Sequence, residues 1–462
     1  MKKDTKVKGA GGEEWQTFEY TGKDEQPDAW RSLATGTDAK IDAARCRSAR
    51  WRLVNRAGQP IGNQPVRIVQ TRNAFDWGFN TWSWMNASQA GTFQTNPIRH
   101  RQELFTNLCN TMVALHYWAE TTPEDAPISE EYQGEISYEH LDRFVSWCQS
   151  KGLKVKGHPL FWQVPKALPK WLLKYDLETR WKFVEVRLRQ ITSRFKGRIS
   201  TYDLSNEVCW EPVLAHTEER HWPHQDPIEA IVADHAKMMG WVREEDPDAC
   251  FLLNEYGLLA GAHEPLPVPN QNGEPVTRHQ QLERFIAIAK GMIEAGQAPN
   301  ALGIQTPPGE WSGLEAFDKT IDALGSVGLP VHVSEFRPNQ GAGRGIEDPE
   351  ERTELLGDYI ETAVRMCFAN PHCEAFVFWD TDFFINGRKP TGIYTRIHDL
   401  IQNQWMTRTT ATTDAGGYFE FRGFLGNYSI RLGPEKGARG YSAQLRPGAQ
   451  PGDEQELMID FL

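Results

Sequence analysis

Hydrophobic and polar positions change rhythm three times along the chain. Residues 1–44 are polar and rich in Gly, Asp and Lys, the texture of a tail or the remnant of an upstream module. From Ala49, apolar and polar residues alternate through ARWRLVNRAGQPIGNQPVRIVQTR around a Gly-Gln-Pro turn, which predicts a β-hairpin. TTATTDAGGYFEFRGFLGNYSIRL, near the other end, has the same alternation, broken at Asp414-Ala415-Gly416-Gly417 and at Gly426-Asn427. Between these ends, short β-forming apolar runs recur, each followed by a stretch of helical periodicity. Eight such runs stand near residues 76, 110, 153, 199, 250, 301, 330 and 373. In YEHLDRFVSWCQSKG, for example, Leu141, Phe144, Val145 and Cys148 share one helix face, and Gly152 stands where a C-terminal cap belongs.

Eight β-α units predict an α/β fold, a closed parallel (β/α)8 TIM barrel. The competing doubly wound sheet would carry a glycine-rich phosphate loop after its first strand, and DWGFNTWSW has none. In a closed barrel the first and last strands are neighbours, so the flanking β segments are delivered close together. The expected organisation is a polar segment over 1–44, a β segment over 45–74, the barrel over 75–405 and a second β segment over 406–462. The two β segments would form one small accessory sandwich-like module.

Composition narrows the function. The 462 residues exceed what a barrel of roughly 250–350 residues needs. No apolar run approaches the ~20 residues of a membrane span, so no membrane partner is expected. A net charge of −12 argues against a nucleic-acid partner, because phosphates call for clustered Lys and Arg. The chain carries 17 Trp, 12 Tyr and 22 Phe, rings that either fill the core or serve as flat platforms, on which sugar rings stack well. The seven cysteines include no CxxC; Cys109, Cys209, Cys250 and Cys373 lie in or beside strand-like runs and look like small buried hydrophobes, with a single disulfide left open. MKKDTKVKGAGGEEW has no apolar core of a leader, so the expectation is a cytoplasmic protein or a secreted one whose signal has been removed. Nothing in the sequence fixes the oligomeric state.

Barrel chemistry sits at the C-terminal ends of strands. Strand three ends in GHPLFW with His158 and Trp162, strand four in Asn206-Glu207, strand six in Gln305, strand seven in Glu335 and strand eight in Trp379. Two carboxylates facing each other across a barrel mouth suit glycoside hydrolysis with retention: one protonates the leaving oxygen, the other attacks the anomeric carbon. Glu207 is the candidate acid/base and Glu335 the candidate nucleophile. Asn206 is suited to the sugar 2-hydroxyl, a contact that strengthens in the transition state. Glu255, in a second Asn-Glu pair on strand five, is expected to support rather than react. His216, His221 and His224 are too loosely spaced for a metal site, so no metal and no other cofactor is expected.

These motifs resemble family-10 glycoside hydrolases, the endo-β-1,4-xylanase family, in a divergent bacterial-type form. GHPLFWQ, YDLSNEV, GIQ, VHVSEF and FVFWD match that family's strand motifs in order. The resemblance implies that His158, Asn206 and Gln305 hold the sugar at the cleaved position and that Trp162 and Trp379 wall it. It also exposes departures. Pro307 stands where the family usually has a His bonded to the nucleophile, and Arg337 where an Asp supports that His. Residues two apart on a strand share a face, so Arg337 is expected to approach Glu335 and lower its pKa. Strand two keeps Trp118, which would still face the next sugar, but offers Val113, Ala114 and Tyr117 in place of the usual polar grip, so Trp82, Trp84, His116 and Tyr117 would form a more apolar subsite. The expected substrate is xylan or a related polysaccharide or oligosaccharide. The alternatives are another β-glycoside, or a carbohydrate-binding role on a decayed barrel.

Overall fold

The computed structural model describes residues 5–8, 14–17, 31–81, 96–119, 128–164, 167–209, 214, 223–262, 265–266, 268–306, 313–338, 346–379, 384–386, 389–433, 440–446 and 454–458. All eight expected barrel strands are present: β1 (Asp76–Asn80), β2 (Thr111–Leu115), β3 (Lys154–His158), β4 (Thr201–Asn206), β5 (Cys250–Glu255), β6 (Ala301–Gln305), β7 (Val331–Phe336) and β8 (Cys373–Phe378). Each pairs in parallel with the next, and β8 pairs with β1, which closes the barrel. Strands covered on both faces carry continuous apolar runs. Accordingly every residue of β2, TMVAL, is buried.

The helices between strands begin and end where their sequences say they should. Glu139–Ser150 buries Leu141, Phe144, Val145 and Cys148 on one face, and Gly152 follows at φ 68°, a left-handed C-terminal position that suits a residue without Cβ. Arg278–Glu294 starts with a capping box between Thr277 and Gln280. The register slips between β4 and β5 at Leu252/Leu253 and between β6 and β7 at Ile304/Gln305. The second slip sets Gln305 opposite Glu335. Such irregularities re-aim side chains.

The flanking segments form two sheets. Strands 408–412, 65–73, 426–432 and 440–445 make an antiparallel four-stranded sheet, and 418–424, 46–54 and 454–458 make the other. Their inner faces enclose a core of Trp51, Leu53, Val66, Ile68, Phe419, Tyr428 and Ile430. The expected hairpin over residues 49–72 does not form. Its turn is present, with Asn55 N–H donating to Gln59 O at 2.9 Å, but its two strands run into opposite sheets. Alternation fixes which face of a strand is buried and leaves its partner open, and here each strand finds that partner in the C-terminal segment.

These sheets seat on the N-terminal end of the barrel. Arg45 is buried and donates to the carbonyls of Phe368, Asn370 and Cys373, each at 2.6 Å. Asn73 Nδ2 donates to Trp405 O at 3.0 Å, and Trp405 stacks on Trp77 of β1 with ring centroids 5.6 Å apart. Residues 37–45, within the segment read as polar, form a helix that buries Ile41. All seven cysteines are free, and all but Cys250 are buried. No described helix is long and apolar enough to cross a membrane.

Candidate active site

The C-terminal ends of β3 to β7 converge on one polar cluster, and the end of β8 adds an aromatic ring beside it. Glu207 follows β4 with φ 59°, a left-handed backbone that costs a non-glycine residue about 1–2 kcal/mol. Its N–H donates to Asn254 O at 2.7 Å, which holds the turn. Its carboxylate accepts from Trp162 Nε1 at 3.0 Å and from Gln305 Nε2 at 3.4 Å. Glu335 lies on β7 with its side chain 12% exposed, and accepts from Asn254 Nδ2 at 2.9 Å. The same Asn254 nitrogen donates to Asn206 Oδ1 at 2.8 Å, and Gln305 Nε2 reaches that oxygen at 3.1 Å. Asn206 Oδ1 therefore takes two donors, and its own N–H groups remain to offer a ligand.

Beneath Glu335 lies a charged cluster on the floor of the mouth. Asp203 Oδ2 accepts from Lys156 Nζ at 2.5 Å and from His158 Nδ1 at 2.7 Å, and all three side chains are buried. Burial works against ionised Asp203, but Lys156 and the His158 bond win and hold its carboxyl below the usual carboxylate range. Burial also pushes the His158 pKa down, favouring the neutral ring. With Nδ1–H donating to Asp203, the neutral ring turns an accepting Nε2 toward the mouth, 4.0 Å from Glu335 Oε1. That nitrogen suits a ligand hydroxyl. For Glu335, burial first and the charge of Glu207 second raise the pKa well above the usual carboxylate range, against the pull of Lys156 and Asn254. Two close carboxyl groups in a half-dry site compete for one proton.

The structure gathers most of the predicted residues here. Trp379 meets His158 edge to face at 5.0 Å, and Tyr117 lies 5.9 Å from His158 and 6.0 Å from Trp162, ring to ring. Trp118 borders a small pocket with Tyr117 and Trp162 but turns its polar edge away from the carboxylate pair. It is buried, its indole donates to Glu130 Oε2 at 2.9 Å, and Arg187 covers its face at 5.2 Å. Trp82, Trp84, Pro307, His216 and His221 lie outside the described residues, and His116 is fully buried with Nδ1 3.1 Å from Ala114 O. Arg337 is exposed, and its backbone N–H bonds Thr306 Oγ1 at 2.7 Å. It is not among the main influences on Glu335, where the leading cation is Lys156. Glu255 is fully buried and accepts from the N–H groups of Cys209 and Tyr256 at 2.6 and 2.9 Å, and burial pushes its pKa up to about 8. It braces the turn that carries Glu207. His224 bonds Gln281 Oε1 at 2.7 Å. Among the described residues no group of His, Cys, Asp and Glu is placed to hold a metal.

Sequence reasoning missed Lys156, Asp203 and Ser334, and it noted Asn254 only as the neighbour of Glu255. Lys156 and Asp203 offered a signal, since a charged residue inside a continuous apolar strand must find a partner.

A closed (β/α)8 barrel with a carboxylate pair set among amide, indole and imidazole groups at its C-terminal face defines a class of sugar-processing barrel sites. The chain belongs to glycosyl hydrolase family 10, whose family model matches residues 86–383. Among curated relatives, the Anti-sigma-I factor RsgI6 of Acetivibrio thermocellus is 24% identical over 423 residues, which is 89% of this chain and 48% of that protein. Endo-1,4-beta-xylanase 1 of Arabidopsis thaliana is 22% identical over 329 residues, 68% of this chain and 29% of its own length. The chain thus spans about half or less of the length of these relatives. Among solved structures, xylanase 10B from Thermotoga petrophila has the same fold, with a TM-score of 0.53 at 17% identity over 72% of this chain and 95% of that one. A family-10 structure from Paenibacillus barcinonensis also gives 0.53, at 15% identity over 71% and 95%.

Proposed function

We propose that the protein is a retaining glycoside hydrolase that cleaves β-1,4-linked xylan or a related β-glycan by double displacement. The observation that carries this reading is the unbroken hydrogen-bond chain from Glu207 through Gln305, Asn206 and Asn254 to Glu335. Glu207 protonates the leaving oxygen while Glu335 attacks the anomeric carbon, and Glu207 then draws a proton from water to release the covalent intermediate. The N–H groups of Asn206 meet the 2-hydroxyl, neutral His158 accepts from a neighbouring hydroxyl, and Trp162, Trp379 and Tyr117 wall the ring. The wall on the Tyr117 side is aromatic rather than charged, which favours apolar stacking over an ionic grip for the next sugar.

The test is a digest of linear xylohexaose resolved by mass spectrometry. Short xylo-oligomers should form, and should be absent with Glu335→Ala, since losing a nucleophile costs about 10³-fold or more. Products that persist in the variant would remove Glu335 from its role. A second reading, glycan binding without turnover on a decayed barrel, is favoured by one observation: Pro307 and Arg337 stand where the family usually has the His and Asp behind its nucleophile. Tight xylo-oligomer binding with no products would decide for it.

A further inference from the structure

We infer that Asn254 is the positioning residue for both carboxylates, gripping the turn of Glu207 through its backbone and aiming Glu335 through its side chain. The inference rests on the proposed roles of those two glutamates. Asn254 lies on β5, between the strands that carry them, and is fully buried. Its carbonyl accepts the Glu207 N–H at 2.7 Å. Its amide nitrogen has two hydrogens, and the bonds to Asn206 at 2.8 Å and Glu335 at 2.9 Å use both. Ser334 Oγ donates to Asn254 Oδ1 at 2.5 Å, so the amide cannot flip without setting its oxygen against two acceptors. The space for this oxygen exists because residue 303 is glycine: a Cβ there would lie 2.5 Å from Asn254 Oδ1. Four bonds and one missing side chain thus fix a single residue between the acid/base and the nucleophile.

The arrangement has a consequence that simple packing would lack. A donor on a carboxylate favours its ionised form, so Asn254 helps keep Glu335 ready to attack. Among the described residues, the other charged or titratable groups facing Glu335 are Lys156 and His158 on β3 and Asp203 and Glu207 on or after β4, with Arg337 exposed just past the end of β7. None of them changes when the Asn254 side chain is altered. The backbone bond to Glu207 also survives any substitution there, so the two halves of the bracket can be separated.

The experiment measures kcat/KM against pH on an aryl xyloside or xylo-oligomer for wild type, Asn254→Ala, Asn254→Asp and Ser334→Ala. Losing the donor raises the Glu335 pKa, so the acid limb should move up by about one pH unit in Asn254→Ala. It should move further in Asn254→Asp, where a like charge replaces the donor, and in the same direction but less in Ser334→Ala, where the amide is only unlocked. Activity below the optimum should drop about 10–100-fold in Asn254→Ala, while the basic limb stays in place. A uniform loss at all pH values, or an unmoved acid limb in Ser334→Ala, which removes one hydroxyl and preserves the fold, overturns the inference. Labelling wild type with a 2-deoxy-2-fluoro glycoside separates the two proposals. A label on a residue other than Glu335 refutes the catalytic assignment, whereas a label on Glu335 with unshifted limbs refutes only the role of Asn254.

Discussion

At the scale of single residues, the candidate site is a problem of balancing buried charge. Lys156 and Asp203 neutralise each other below the mouth, and this lets His158 stay neutral beside Glu335. Replacing Lys156 with Met should leave Asp203 with His158 as its only partner. Breaking a buried pair from one side costs about 3–5 kcal/mol, so the variant should unfold at distinctly lower urea. The His158 pKa should rise as well, because Lys156 now depresses it, and an NMR titration of the ring would read the change. A variant as stable as wild type with an unmoved His158 would show that the pair does not set the charge of the floor. The residues visible in the sequence were the strand-end carboxylates, amides and aromatics, since strand ends are where barrels place chemistry. Lys156 and Asp203 were overlooked, and Asn254 noted only as the neighbour of Glu255, for a physical reason. Their roles depend on which of two strand faces points inward and on which strands are neighbours, and neither is written in any one segment.

At the scale of elements, strand existence was legible and strand pairing was not. The eight barrel strands follow from apolar runs separated by helical periods, and chain order alone then fixes their parallel neighbours. The module has no such rule. Its strands alternate clearly, yet 46–54 and 65–73 part company across the sandwich, and so do 418–424 and 426–432. The second parting turns at Gly426, where any Cβ would collide with the Arg72 carbonyl. We propose that segments 45–74 and 406–462 act as one module clamped to the barrel, with Arg45 as the main clasp. Arg45→Met keeps the stem and removes the donors, leaving the carbonyls of Phe368, Asn370 and Cys373 unpaired. A loss of about 2–4 kcal/mol in urea denaturation is expected. A change below about 0.5 kcal/mol would reduce the clasp to a surface contact.

At the scale of the whole molecule, the two cores are coupled. Arg45, the Asn73–Trp405 bond and the stacked Trp77–Trp405 pair tie the sandwich to the first and last parts of the barrel. These contacts are buried, so neither part should melt while the other holds. Calorimetry should show a single transition, and two resolved peaks would mean that the module is an independent passenger. The global architecture was the most legible level, because eight repeats of one motif average out local ambiguity. Substrate preference was the least legible. It depends on the loops around the mouth, and these follow no period.

The left-handed backbone at Glu207 has a bearing on how such a chain can change. Asn or Gly would sit there with less strain than Glu. A population selected for heat resistance alone, with no demand for turnover, would therefore tend to lose that carboxylate while keeping the barrel. The descendants would still fold, and would be sturdier for the exchange. If Glu207 is the acid/base proposed above, one strained backbone unit is all that separates a reacting barrel from one that only binds.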